Sequence, residues 1–122
     1  INHVTKGTYL EQIMRYEAES YSEACAPLYA KVVEMRKAYE AAVARVEAMD
    51  KETQGYKDFH SRRLVEIAGY IVMSHLMLRQ ASDIEAEYLN PAKVFVKYAV
   101  KKVTEAATYI NESEATDVEL FR

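Results

Sequence analysis

Residues 26–50 read APLYAKVVEMRKAYEAAVARVEAMD. Within them Leu28, Val32, Met35, Tyr39, Ala42, Val46 and Met49 recur at alternating intervals of four and three residues. A mean spacing of 3.5 is the seam of a helix lying nearly parallel or antiparallel to its neighbours. Lys31, Glu34, Lys37, Arg45 and Glu52 fall on the opposite face. Pro27 suits the first helical turn, where a missing N–H costs nothing, and Asp50 and Gly55 bracket the exit. The pattern predicts a helix from about Ala24 to Asp50, roughly 40 Å long at 1.5 Å per residue.

Working outward, the stretch Leu64–Leu78 has only Glu66, Ser74 and His75 as polar members. With Tyr56 and Phe59 ahead of it, a helix is expected from about Gln54 to Ser82. Being apolar nearly all round, it should be buried on several sides, yet it is too short and interrupted for a membrane span of about 20 residues. Gly69, after Ala68, weakens a helix by about 1 kcal/mol relative to Ala. The expected return is a tight helix crossing, at which Gly69→Leu would overpack.

Asn90-Pro91 pairs a favoured N-cap with a favoured first helical residue, so a helix is expected to start there. Val94, Phe95, Tyr98, Ala99, Val103, Ala106 and Ile110 would form its apolar stripe, with Lys93, Lys97, Lys101, Thr104 and Thr108 opposite and Asn111 at its end. Residues 83–89 then form an acidic loop. A weaker helix is expected over about Thr8–Ala18, with Tyr9, Ile13 and Tyr16 on one face. Ser20-x-x-Glu23 offers a capping box for an earlier start of the second helix, and the acidic tail can hold a short turn near Val118–Phe121. The sum is all-α: one domain over residues 1–122, an antiparallel up-down helical bundle of about four helices.

Composition agrees. Three Gly and two Pro in 122 residues are too few for an all-β fold with many tight turns. Half the residues are hydrophobic and 29% charged, which excludes a disordered tail. A net charge of −3 gives no electrostatic reason to bind nucleic acid or anionic lipid. Cys25 is alone, so an intramolecular disulfide and a cysteine zinc site are excluded, in keeping with a reducing compartment. The start at Ile1-Asn2-His3, without Met or a signal-peptide pattern, is expected of a piece of a longer protein.

A bundle invites a di-iron reading, which needs Glu-x-x-His on two helices. Lys57 and Val72 stand three residues before His60 and His75, so the motif fails. His75 reads as a core histidine satisfied by a hydroxyl or carbonyl; as a base or metal ligand it has no second group in register. Glu66 is expected to pair with Arg62, Arg63 or a partner's tyrosine rather than act as a raised-pKa acid. The ten tyrosines serve either core edges or a protein interface. Lys93, Lys97, Lys101 and Lys102 read as a solvated helix face. Gly7, Gly55 and Gly69 are too far apart for a phosphate-binding loop. The residues predict no catalytic, cofactor-binding or metal site.

The stretches LVEIAGYIVMSHLMLRQAS (64–82) and NPAKVFVKYAVKKVTEAATYI (90–110) resemble the C-terminal helical domain of acyl-CoA dehydrogenase family proteins, of the acetyl-CoA-dehydrogenase-like type from anaerobic bacteria. The resemblance is best over Leu64–Ile110 and compatible over Ala26–Asp50. It implies a cytoplasmic parent flavoenzyme of fatty acid metabolism that removes hydrogens from the α and β carbons of an acyl-CoA using FAD. It also implies an upstream dehydrogenase core and a homo-oligomer as partners, with no nucleic acid or membrane. The parent's catalytic and flavin-contacting residues lie upstream, and none maps onto this chain. Two other classes stay open: a free-standing helical adaptor or dimerisation module, and a small-molecule binder with a pocket lined by Met73, Met77 and Tyr98. Separated from its parent core, the chain is expected to self-associate or expose an apolar patch.

Overall fold

The computed structural model describes residues 7–121. In chain order they form helix α1 (Thr8–Glu17), a 3-10 turn (Glu23–Cys25), α2 (Ala26–Glu52), α3 (Tyr56–Asp83), α4 (Glu85–Glu112) and the short α5 (Ala115–Phe121). No strand occurs among the described residues. The three long helices each pack against the other two, and α1 lies mainly on α3.

Pairings between helix ends establish the up-down order. The Cys25 thiol, at the start of α2, points to the Leu78 carbonyl near the end of α3. Tyr56, at the start of α3, bonds Ser113 just past α4. Arg45, late in α2, reaches the carbonyls of Ile110 and Ser113. So α3 is antiparallel to both neighbours and α2 runs parallel to α4. The α2–α3 reversal takes three residues. Gly55 turns at φ 93°, which L side chains disfavour, and the Asp50 carboxylate accepts the Lys57 amide at 2.9 Å.

The α2 seam behaves as its spacing predicts. Leu28, Val32, Met35, Tyr39, Ala42 and Val46 are all buried, and Met49 half-buried. They meet Leu64, Ile67, Ile71 and Leu78 of α3 and Val96, Ala99, Val103 and Ile110 of α4 in one core.

Four expectations need correcting. First, α4 starts at Glu85, so residues 85–89 are helical and Ile84 alone separates it from α3. Pro91 lies inside the helix, where it forfeits a bond to the exposed Glu87 carbonyl. Packing Tyr88 and Leu89 against the core offsets that loss. Second, the α4 stripe is rotated: Ala92, Val96, Ala99, Val103, Ala107 and Ile110 face inward, whereas Val94 is 71% and Tyr98 49% exposed. Third, Ser20 caps nothing; Ser22 precedes the 3-10 turn without a side-chain cap, and its amide donates to Ser82 Oγ at 2.8 Å. Fourth, Gly69 is not at a crossing with any described part of the chain. It is exposed, and a Cβ built there meets nothing within 4 Å. Among the described residues, Val65 and Met73 on the outer side of α3 are 39% and 49% exposed.

Candidate functional site

Two buried histidines organise polar clusters at opposite ends of the bundle. At one end α3 contributes Tyr56 and His60, and Ser113 closes α4. The Ser113 hydroxyl donates to the Ile110 carbonyl at 2.8 Å, satisfying one of the helix's last acceptors. With its single proton committed, Ser113 Oγ accepts the Tyr56 hydroxyl and, at 2.8 Å, His60 Nε2–H. These bonds assign His60 as the neutral Nε2–H tautomer. Burial, followed by the nearby Arg63 charge, lowers its pKa to about 4 against the pull of Asp117. Arg45 Nη2 donates to the Ser113 carbonyl at 2.8 Å, so α2, α3 and α4 meet at this one residue.

A serine against a histidine poses the question of a nucleophile. The nucleophile's partner must accept its proton, and a third group must orient that base. Here His60 donates to Ser113, Ser113 donates to a helix carbonyl, and His60 Nδ1 is buried without a hydrogen bond. The arrangement closes a helix end and does not activate an oxygen.

At the other end His75 of α3 lies under the segment joining α1 to α2. The Tyr21 hydroxyl gives its proton to the Tyr16 carbonyl at 2.7 Å and stands 3.2 Å from His75 Nδ1. His75 therefore donates from Nδ1, and its Nε2 is buried without a partner. Tyr16 and Tyr21 stack on the imidazole at 6.0 and 5.8 Å, and Tyr29 meets it edge-on at 6.4 Å. Burial holds His75 below the usual histidine range, opposed by Glu17 and Glu19. The same burial pushes the Tyr21 hydroxyl up to about 12. Arginine forks complete the clamp: Arg36 grips Glu17 at 3.2 and 3.1 Å, and Arg79 grips Glu19 at 2.8 and 2.7 Å.

Two surface clefts lie along α3 and α4. One, of about 370 Å³, is lined by Arg63, Glu66, Tyr70, Tyr98, Lys102 and Tyr109 among others. Arg63 sits 4.1 Å over the Tyr109 ring and Lys102 5.6 Å over Tyr98, so both cations already have aromatic partners. The other, of about 450 Å³, lies beside Ser113, with Phe59, Tyr109, Glu112 and Asp117. Glu112 and Asp117 in the second cleft oppose a pyrophosphate, whereas in the first Arg63 and Lys102 balance Glu66 and Glu105. Tyr98 lines the first cleft, but Met73 and Met77 do not, so the three-residue pocket expected from the sequence does not form there.

The remaining expectations resolve simply. His75 is a core histidine whose Nδ1 meets the Tyr21 hydroxyl while its Nε2 stays unpaired. Glu66 pairs with Arg62 at 3.7 Å. Lys93, Lys97 and Lys101 are exposed. Tyr39 and Tyr56 are core residues, while Tyr98 and Tyr109 are about half exposed. Among the described residues no three His, Cys, Asp or Glu side chains gather as a metal would need. Among the described residues no helix is long and apolar enough to cross a membrane. Sequence reasoning missed Arg45, Tyr56, His60 and Ser113 as a group. Ser113 lies 53 positions from His60 and 68 from Arg45, and a serine between two glutamates reads as solvated tail.

Residues 5–118 match the family described as acyl-CoA dehydrogenase C terminal. No curated protein matches the chain. Among solved structures, an acyl-CoA dehydrogenase family protein from Porphyromonas gingivalis superposes with a TM-score of 0.84 at 26% identity, covering 93% of this chain and 96% of that one. A family match over nearly the whole length, with a relative of the same helical architecture, leads to one conclusion: the chain belongs to the acyl-CoA dehydrogenase C-terminal family.

Proposed function

We propose that this chain is the accessory C-terminal bundle of a bacterial, cytoplasmic acyl-CoA dehydrogenase flavoprotein, with a structural or assembly role. The parent would oxidise acyl-CoA at the α and β carbons, FAD supplying the electron acceptor from an upstream core of the same polypeptide. One observation carries the structural role: the polar groups that look most like chemistry are consumed in holding helices together. Ser113 and His60 close the end of α4, and His75 anchors the α1–α2 connection. A proton-abstracting group must reach a substrate proton, and both imidazoles are fully buried.

The test uses the purified chain and its parent. The chain should be colourless, retain no FAD and oxidise no acyl-CoA. Deleting it from the parent should alter stability, assembly or access to the substrate cleft. Bound flavin in the isolated chain overturns the assignment. So does His75→Ala abolishing parent turnover while folding, assembly and substrate binding persist.

A further inference from the structure

Two of the three glycines have a local reason: Gly7 and Gly55 adopt positive φ. Gly69 does not. It sits in the middle of α3 with helical backbone, exposed, and no described side chain comes within 4 Å of a Cβ built there. A helix-weakening residue with no internal return is flanked one turn either way by Val65 and Met73, 39% and 49% exposed. Leu76, one turn further, is half-buried. Small-between-large is the surface a second helix needs for close approach.

We propose that the outer face of α3 is a two-fold interface, covered by α3 of a second copy of this chain crossing antiparallel at Gly69. The pattern about Gly69 is what selects a copy. A two-fold contact pairs each residue with its mirror position, and the mirror positions here are complementary. Val65 meets Met73. Arg62, whose side chain is 91% exposed, lays its stem over Leu76. Asp58 and Gln80, both exposed, supply a carboxylate acceptor opposite an amide donor. No like charges face each other in this register. The contact does not depend on a dehydrogenase core, so it can fail while the accessory-bundle reading stands, and the reverse.

Sedimentation of the chain from micromolar to millimolar concentration should show a monomer–dimer equilibrium. Gly69→Ala should raise the thermal midpoint of the dilute monomer, because Ala favours helix. The same change should weaken the dimer by roughly tenfold or more, by holding the backbones apart. Gly69→Cys should yield a disulfide-linked dimer on oxidation, since the two positions meet on the axis. A chain that is monomeric at millimolar concentration overturns the proposal, as does a dimer whose affinity ignores Gly69→Ala or one in which Gly69→Cys fails to cross-link. Protection of this face from solvent exchange only in the full-length dehydrogenase would assign it to the core and likewise overturn it.

Discussion

His60 Nε2 stands 2.8 Å from Ser113 Oγ, and this contact ties the second turn of α3 to the residue that ends α4. The serine oxygen accepts from both His60 and Tyr56; removing it strands the buried His60 donor, whereas the Tyr56 hydroxyl keeps the Ser113 carbonyl at 3.4 Å. A stranded buried donor costs about 1–3 kcal/mol. Ser113→Ala should therefore destabilise the bundle by about 1–3 kcal/mol, measured by chemical denaturation. An unchanged midpoint would show that the cluster is not holding the helix end.

Acid should weaken the fold through its two buried histidines. An unfolded histidine titrates near 6.5, whereas His60 is held at about 4. Between those values the unfolded chain binds more protons, so stability falls as pH drops from about 6.5 toward 4. The slope for one such group approaches about 1.4 kcal/mol per pH unit. His75, also lowered by burial, adds in the same direction. His60→Gln keeps an N–H donor for Ser113 but cannot titrate. Denaturation midpoints from pH 7 to 5 should fall less steeply for this variant; an identical slope would remove His60 from the account.

Gly69→Leu should not destabilise the monomer. The position is exposed and a new Cβ meets open space, so helix propensity decides the sign. The expected change is a gain of up to about 1 kcal/mol, read from thermal melts of dilute protein. A loss of 1–3 kcal/mol, the overpacking range, would place Gly69 against another part of the chain.

Pro91→Ala should stabilise α4. The proline lies inside the helix and exposed, where it removes one backbone bond. Ala restores the N–H and should gain about 1–3 kcal/mol, seen as slower amide exchange over residues 85–95. No gain would indicate that the helix is already bent to satisfy the Glu87 carbonyl elsewhere.

The bundle was legible in the sequence because burial and helical period are local properties. Each α2 seam residue repeats on its own helix, and the repeat needs no knowledge of its partner to announce a buried side. Asp50 and Gly55 likewise marked the turn, since a positive φ is a demand of the backbone itself. What only the tertiary structure decided was direction and pairing. α4 carries apolar residues on so many positions that Val94 and Tyr98 were as eligible for the core as Ala92 and Val96; contact with α2 and α3 chose. Asn90-Pro91 reads locally as a helix start, but burial of Tyr88 and Leu89 outweighed one lost hydrogen bond. Gly69 reads locally as a tight crossing, but among the described residues its space opens outward. The His60–Ser113 contact has no sequence signal at all, because its members come together only when three helices align their ends, and hydrogen bonds across 53 positions leave no period behind.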